Sequence, residues 1–197
     1  MKIKYLIGVL IVAGLVFTVM NIPKKNIVLR AEEATITPEV SSITKLIEAS
    51  NSDGQYRLVG SSELIKGSVH YSFRVEDAAE NSSLLLFETK AADDETYSIP
   101  FNSWSSDNKY LFLQLNNSKG KNYYVFKADA SLFADGLKYL DVGDYWSQGE
   151  REDVIKEVSG WAGPDLLMVY TTKPDGTGSS AYWFMVSSRK FMQVREF

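Results

Sequence analysis

Cysteine is absent from the 197 residues, histidine occurs once, and proline five times. Without Cys there is neither a disulfide scaffold nor a thiolate metal site, and a single His cannot complete a protein zinc site of three or four ligands. A Ser-His-Asp arrangement could draw only on His70, which sits in the strand-like GSVHYSFRV, and no Gly-x-Ser-x-Gly elbow occurs anywhere. Acidic residues are missing from the first 30 positions, where Lys2, Lys4, Lys24, Lys25 and Arg30 stand alone. The remainder therefore holds 16 Lys and Arg against 25 Asp and Glu, a net charge of −9. That balance repels phosphate backbones, so nucleic acid is not an expected partner. With 45% hydrophobic residues, the composition fits one globular domain plus a short appendage.

The appendage comes first. Tyr5 to Ile22 is an uncharged run of 18 residues between the lysine pairs Lys2, Lys4 and Lys24, Lys25. As a helix it spans roughly 27 Å, enough for a bilayer core. No small-x-small cleavage pattern follows it, so residues 1–25 read as an uncleaved signal anchor, with a cleaved signal peptide as the alternative. Basic residues are nearly balanced on its two sides, and the positive-inside rule is almost silent. A four-residue head ahead of an export-like run places the long carboxyl-terminal part outside the cytoplasm. Residues 26–42 read as a linker, and residues 43–197 as the folded domain.

From about residue 50 the chain reads as all-β. Short apolar and β-branched runs alternate with Gly, Asn, Asp and Ser clusters that supply turns. Ten strands are expected between Gln55 and Val194, with one helical turn over Asp129 to Gly136 and no long amphipathic helix. The runs recur. Trp104 and Trp161 lie 57 positions apart (161 − 104), and each precedes a polar turn and an apolar strand. Asn122–Phe126 is echoed by Ala181–Met185, and Lys138–Val142 by Lys190–Val194. Ser52–Leu58 resembles Ser106–Phe112, 54 positions on (107 − 53). These are three units of roughly fifty-five residues, each a small antiparallel sheet that must stack on its neighbours. Asp53 with Gly54, and Asp107 with Asn108, suit tight turns. Trp104 and Trp161 would fill the gaps between adjacent sheets, or serve as core residues of a β-sandwich.

The segment SWSSDNKYLFLQ resembles the "sWSPDGkylaf" signature of the TolB-like and dipeptidyl-peptidase-IV-like (WD40-like) β-propeller repeats. Ser103, Trp104, Ser105, Asp107, Lys109, Tyr110 and Leu111 match it. Ser106 replaces the usual Pro, and Asn108 the usual Gly. The third unit keeps Trp161 but has Ala-Gly-Pro-Asp for the turn, and the first keeps Ser52-Asp53-Gly54 without the Trp. The resemblance covers about residues 50–197 and implies a partial β-propeller-like array of about three sheets, with protein partners in the cell envelope. Closed propellers have about four to eight blades. Three units imply an open array, a piece of a longer protein, or a homodimer completing a six-bladed ring.

No catalytic constellation is visible, and no cofactor or metal is expected. The acidic runs Asp93–Glu95 and Glu150–Asp153 read as solvated loop tips, and Asp129, Asp135, Asp141 and Asp144 lack calcium-loop spacing. Tyr145 and Trp146, flanked by Gly and acid, read as loop aromatics and form the candidate binding surface. The function expected is a membrane-anchored, extracytoplasmic binding or scaffolding module without catalysis of its own. The alternatives are the non-catalytic propeller portion of a truncated or split serine peptidase, or an envelope glycan-binding domain using Trp146.

Overall fold

The computed structural model describes residues 43–196. The expected membrane anchor and the linker lie outside the described residues. Within them the chain is all-β, folded as three four-stranded antiparallel sheets in chain order, an arrangement that fits a β-propeller-like fold. Sheet 1 comprises β1 (Ile43–Ser50), β2 (Tyr56–Ile65), β3 (Ser68–Asp77) and β4 (Ser82–Lys90). Sheet 2 comprises β5 (Thr96–Ser98), β6 (Tyr110–Asn117), β7 (Gly120–Lys127) and β8 (Leu140–Asp141). A six-residue helix, α1 (Val142–Ser147), leads to sheet 3: β9 (Val154–Gly163), β10 (Leu166–Thr172), β11 (Ser179–Met185) and β12 (Lys190–Glu196).

Each sheet is a plain meander in which consecutive strands pair, through short turns except for the longer β5–β6 and β7–β8 loops of sheet 2. Lys66 and Gly67, with φ of 50° and 80°, close the β2–β3 hairpin as a two-residue turn whose twist matches the strands it joins. The turns leading into β2 and β6 are built alike. Asn51 Oδ1 accepts from Tyr56 N at 3.0 Å, and Ser105 Oγ accepts from Tyr110 N at 2.9 Å. Asp53 Oδ1 accepts from Gln55 N, and Asp107 Oδ1 from Lys109 N. Gly54 and Asn108 take positive φ at the same point, which these two residue types tolerate.

The third turn departs from this plan. Ala78 N, Ala128 N and Val186 N donate to Gln55 O, Lys109 O and Asp165 O. Asp165 therefore stands where Lys109 stands, not where Asp107 does, and Gly163 pairs directly with Leu166 across a tighter hairpin. The strand echo also shifts by one. Phe184 lies opposite Leu167 as Phe126 lies opposite Leu111, an offset of 58 (184 − 126), whereas matching Tyr123 with Tyr182 would give 59.

Packing follows from side-chain alternation. Leu111, Leu113, Leu115 and Phe126 of sheet 2 pack with Leu58, Phe73, Val75 and Leu86 of sheet 1. The opposite face of sheet 2, with Phe112, Tyr123, Val125 and Leu140, packs with Val158, Leu167, Val169 and Phe184 of sheet 3. Sheet 2 is thus buried on both faces, and the stack runs 1, 2, 3. Gly60 lets Phe73 lie flat against β2, because a Cβ there would meet the ring at 2.7 Å.

The two joints between sheets repeat one arrangement. Trp104 Nε1 donates to Ala49 O at 3.0 Å while its ring stacks on Tyr56 at 6.4 Å. Trp161 Nε1 donates to Ser103 O at 2.9 Å and stacks on Tyr110 at 6.1 Å. Each indole satisfies its N–H on the preceding sheet's backbone while its ring fills the gap.

Some local structure differs from the sequence expectation. Asp129–Gly136 forms no helical turn. Asp129 Oδ1 accepts from Ser131 N, Ala130 has φ 54°, and the segment bends so that Phe133 enters the core against Tyr110. The helix forms at α1 instead, capped by Asp141 Oδ1 accepting from Asp144 N at 2.9 Å. β9 was not expected, because Lys156, Glu157 and Ser159 break up its apolar content.

Two outcomes follow for stability. Trp104→Phe, which keeps a ring but leaves Ala49 O without its donor, should lower the unfolding free energy by about 1–3 kcal/mol, and Trp161→Phe likewise at Ser103 O; an unchanged urea midpoint would count against the joint. The turn carboxylates make the second. Asp53 is held below its ordinary value of 3.8 by Gln55 N, Asp94 by the Ser118 hydroxyl, Asp135 by Arg189 and Asp175 by the Thr177 hydroxyl. Groups depressed in the folded state stabilise above the unfolded value and lose that contribution as pH falls through the folded one. Urea midpoints should therefore drop between about pH 4 and pH 2, and a rise on acidification would contradict this.

Candidate functional site

The aromatic pair expected at a loop surface lies elsewhere. Tyr145 and Trp146 are on α1, and Trp146 is 6% exposed. Its Nε1 donates to Asp153 O at 2.7 Å, and its ring meets Tyr182 and Phe191 edge-on at 4.8 and 4.9 Å. The Arg151 guanidinium lies over the ring at 4.5 Å, adding a cation–π contact. Tyr145 is half-buried against Phe184. The reason is local: α1 turns these two residues back onto sheet 3, whereas flanking Gly and acid had suggested a protruding loop.

The other residues picked out from sequence are engaged in the fold. Asp53, Gly54, Ser105 and Asp107 build the two matched turns, and Trp104 and Trp161 the two joints. Asp53 Oδ2 also accepts from Asn108 Nδ2 at 3.1 Å, which ties the first turn to the second. Asp135 pairs with Arg189 at 2.6 Å, and Asp141 caps α1. His70 is half-buried on β3, opposite Glu63 and Lys90.

Two surfaces remain that local structure does not use up. The first is the side of sheet 3 turned away from sheet 2. Along β10, Leu167, Val169 and Thr171 point inward and are fully buried, so Leu166, Met168 and Tyr170 project outward. On β11 and β12, Trp183 lies opposite Met168 and Met192 opposite Trp183, and Met192 is 46% exposed. Trp183 Nε1 is shielded from solvent and has no hydrogen-bond partner among the described residues. The corresponding outer side of sheet 1 mixes charge with apolar residues: Arg57 reaches Glu48 at 3.2 Å and Glu76 at 2.6 Å, with Arg74, His70, Leu46, Val59 and Leu85 on the same face.

The second surface is a groove of about 660 Å³ that crosses all three sheets, from Ser50 and Ser52 past Phe101 and Trp104 to Ser159 and Tyr170. Phe101 is 93% exposed at the loop between β5 and β6. The loop is fixed to sheet 3 by Asn102, whose Nδ2 donates to Ser159 O at 3.2 Å. Gly160 makes room for it. Its φ of +134° and the Asn102 Cβ at 2.7 Å from a notional Cβ both call for glycine. Phe101 escaped notice in the sequence because it directly follows the expected strand Thr96–Pro100 and reads as that strand's end; the available signal was an aromatic held between Pro100 and Asn102.

No protein-family model matches the chain, and no curated protein matches its sequence.

Burial makes opposite predictions for the two aromatics. Trp146→Ala should lower the unfolding free energy by about 3–5 kcal/mol, whereas Phe101→Ala should leave it within about 0.5 kcal/mol. Denaturant titration of both variants checks this, and equal effects would contradict the placement of α1.

Proposed function

We propose that the chain is a binding or scaffolding module without catalysis of its own, a partial β-propeller-like array of the TolB-like and dipeptidyl-peptidase-IV-like repeat kind. In this reading residues 1–25 anchor it in a membrane and residues 43–197 form the folded domain on the extracytoplasmic side. The observation that supports a binding role is the difference between the two end sheets. Sheets 1, 2 and 3 stack through apolar faces, and the free face of sheet 3 has an apolar centre of Met168, Tyr170, Trp183 and Met192, with Glu157 and Lys190 at its margins. The free face of sheet 1 is more strongly charged, with Arg57 bonded to Glu48 and Glu76 among Leu46, Val59 and Leu85.

The occupant that fits is a different protein presenting an apolar sheet face. Head-to-tail closure by a second copy would press Met168 and Trp183 against Arg57 and its two carboxylates, stripping that group of water. The split-peptidase alternative uses the same surface, with a hydrolase-bearing polypeptide as the partner.

A photo-reactive side chain placed at position 192 of the full chain, in the cells that make it, tests the docking. The expected result is one discrete adduct with a different polypeptide, which then binds the purified chain and is lost with Trp183→Glu; position 74, on the free face of sheet 1, gives none. An adduct of twice the chain's mass, equal adducts from both positions, or no adduct would overturn the reading.

A further inference from the structure

The groove across the three sheets differs from the rest of the surface in its charge. None of its thirteen lining residues is Asp, Glu, Lys, Arg or His, in a domain whose other clefts are lined by Arg57 with Glu76, by Glu63 with Lys90, or by Lys127 with Asp129. A charged ligand finds no counter-ion there. A purely apolar ligand fits no better, because the Ser50, Ser52, Ser106 and Ser159 hydroxyls interleave with the rings.

Asn51 also borders the groove, but at 4% exposure it serves the fold: its Oδ1 accepts from Tyr56 N, and, after Gln55 N, its amide helps to hold the Asp53 carboxyl below the ordinary value. An extended peptide would add itself through backbone hydrogen bonds at a strand edge. Of the groove's own carbonyls, Ser159 O already accepts from Asn102.

We propose that this groove binds a neutral saccharide. Phe101 and Tyr170 supply rings for the C–H side of a sugar, and the serine hydroxyls meet the sugar's hydroxyls. The groove's volume lies within the range of formed small-ligand sites. The inference rests on the reading of the domain as a binding module, but not on docking at the outer face of sheet 3.

Trp104 and Trp161 line the groove, so indole fluorescence reports its occupancy. The purified full chain, kept in a sugar-free detergent, is titrated with cellohexaose, maltohexaose, mannohexaose and chitohexaose. Hexagalacturonate and an uncharged Ser/Gly/Phe peptide serve as comparisons. The expected result is saturable binding of at least one neutral hexasaccharide, weakened about tenfold or more by Phe101→Ala at an unchanged unfolding midpoint, and unaffected by Met192→Glu. The proposal is overturned if no neutral hexasaccharide binds, if hexagalacturonate or the peptide binds as well or better, or if Phe101→Ala binds like the unaltered chain. Failure here with a position-192 adduct present would remove the saccharide site and leave the docking reading standing.

Discussion

A sheet that is apolar on both sides cannot stand at a surface, and sheet 2 is such a sheet. Leu111, Leu113 and Leu115 alternate along β6 with Phe112, so its two faces demand two partners. Sheets 1 and 3 are those partners, and their inward faces are fixed by this requirement. The indole joints set the spacing. In each, an N–H is bonded to the previous unit's backbone and a ring is stacked on the previous unit's Tyr. The joint also has a direction, since each Trp reaches back to the preceding unit. Ser50 occupies the equivalent position in the first unit, pairing with Arg57 as Trp104 pairs with Leu111.

Directionality explains why the two ends differ chemically. The first unit lacks the reaching Trp, and its outer face carries Arg57 in contact with Glu48 and Glu76. The outer face of sheet 3 carries thioethers and aromatic rings, which are adaptable and well suited to packing against another surface. Met168 and Tyr170 belong both to that face and to the groove. A partner seated on sheet 3 would therefore bear on the groove's far wall, whereas Phe101, held from sheet 2, would be left in place.

Much of this was legible in the sequence where the chemistry is local. The Asp-Gly and Asp-Asn turns announce themselves because only a few residue types accept positive φ, and the apolar strand that follows each is unmistakable. The three-unit division rests on Trp104 and Trp161, whose spacing survives even though the third turn lost a residue. What was hidden depends on partners distant in sequence. β9 carries Lys156, Glu157 and Ser159 and becomes a strand only because β10 pairs with it. The one-residue slip between β7 and β11 is visible only in cross-strand register, since both strands offer adjacent aromatics that can be aligned either way. Trp146 looked exposed because its neighbours are polar, but six residues of helix suffice to rotate it into sheet 3.

The same contrast separates the two aromatics that matter most for function. Trp146 sits among Gly, Asp and Ser and is buried, while Phe101 follows an expected strand and is almost wholly exposed. Burial is decided by what the fold brings alongside: Phe191, Tyr182 and Arg151 converge on Trp146 from later in the chain, and nothing converges on Phe101. Asn102, Gly160 and the Ser159 carbonyl nevertheless hold the loop that carries Phe101, and Gly160 adopts a positive φ to admit Asn102. An exposed ring on a braced loop has given up little burial and retained little freedom. Less ordering entropy then remains to be lost when a ligand arrives, which is how a preformed platform gains affinity without adding contacts.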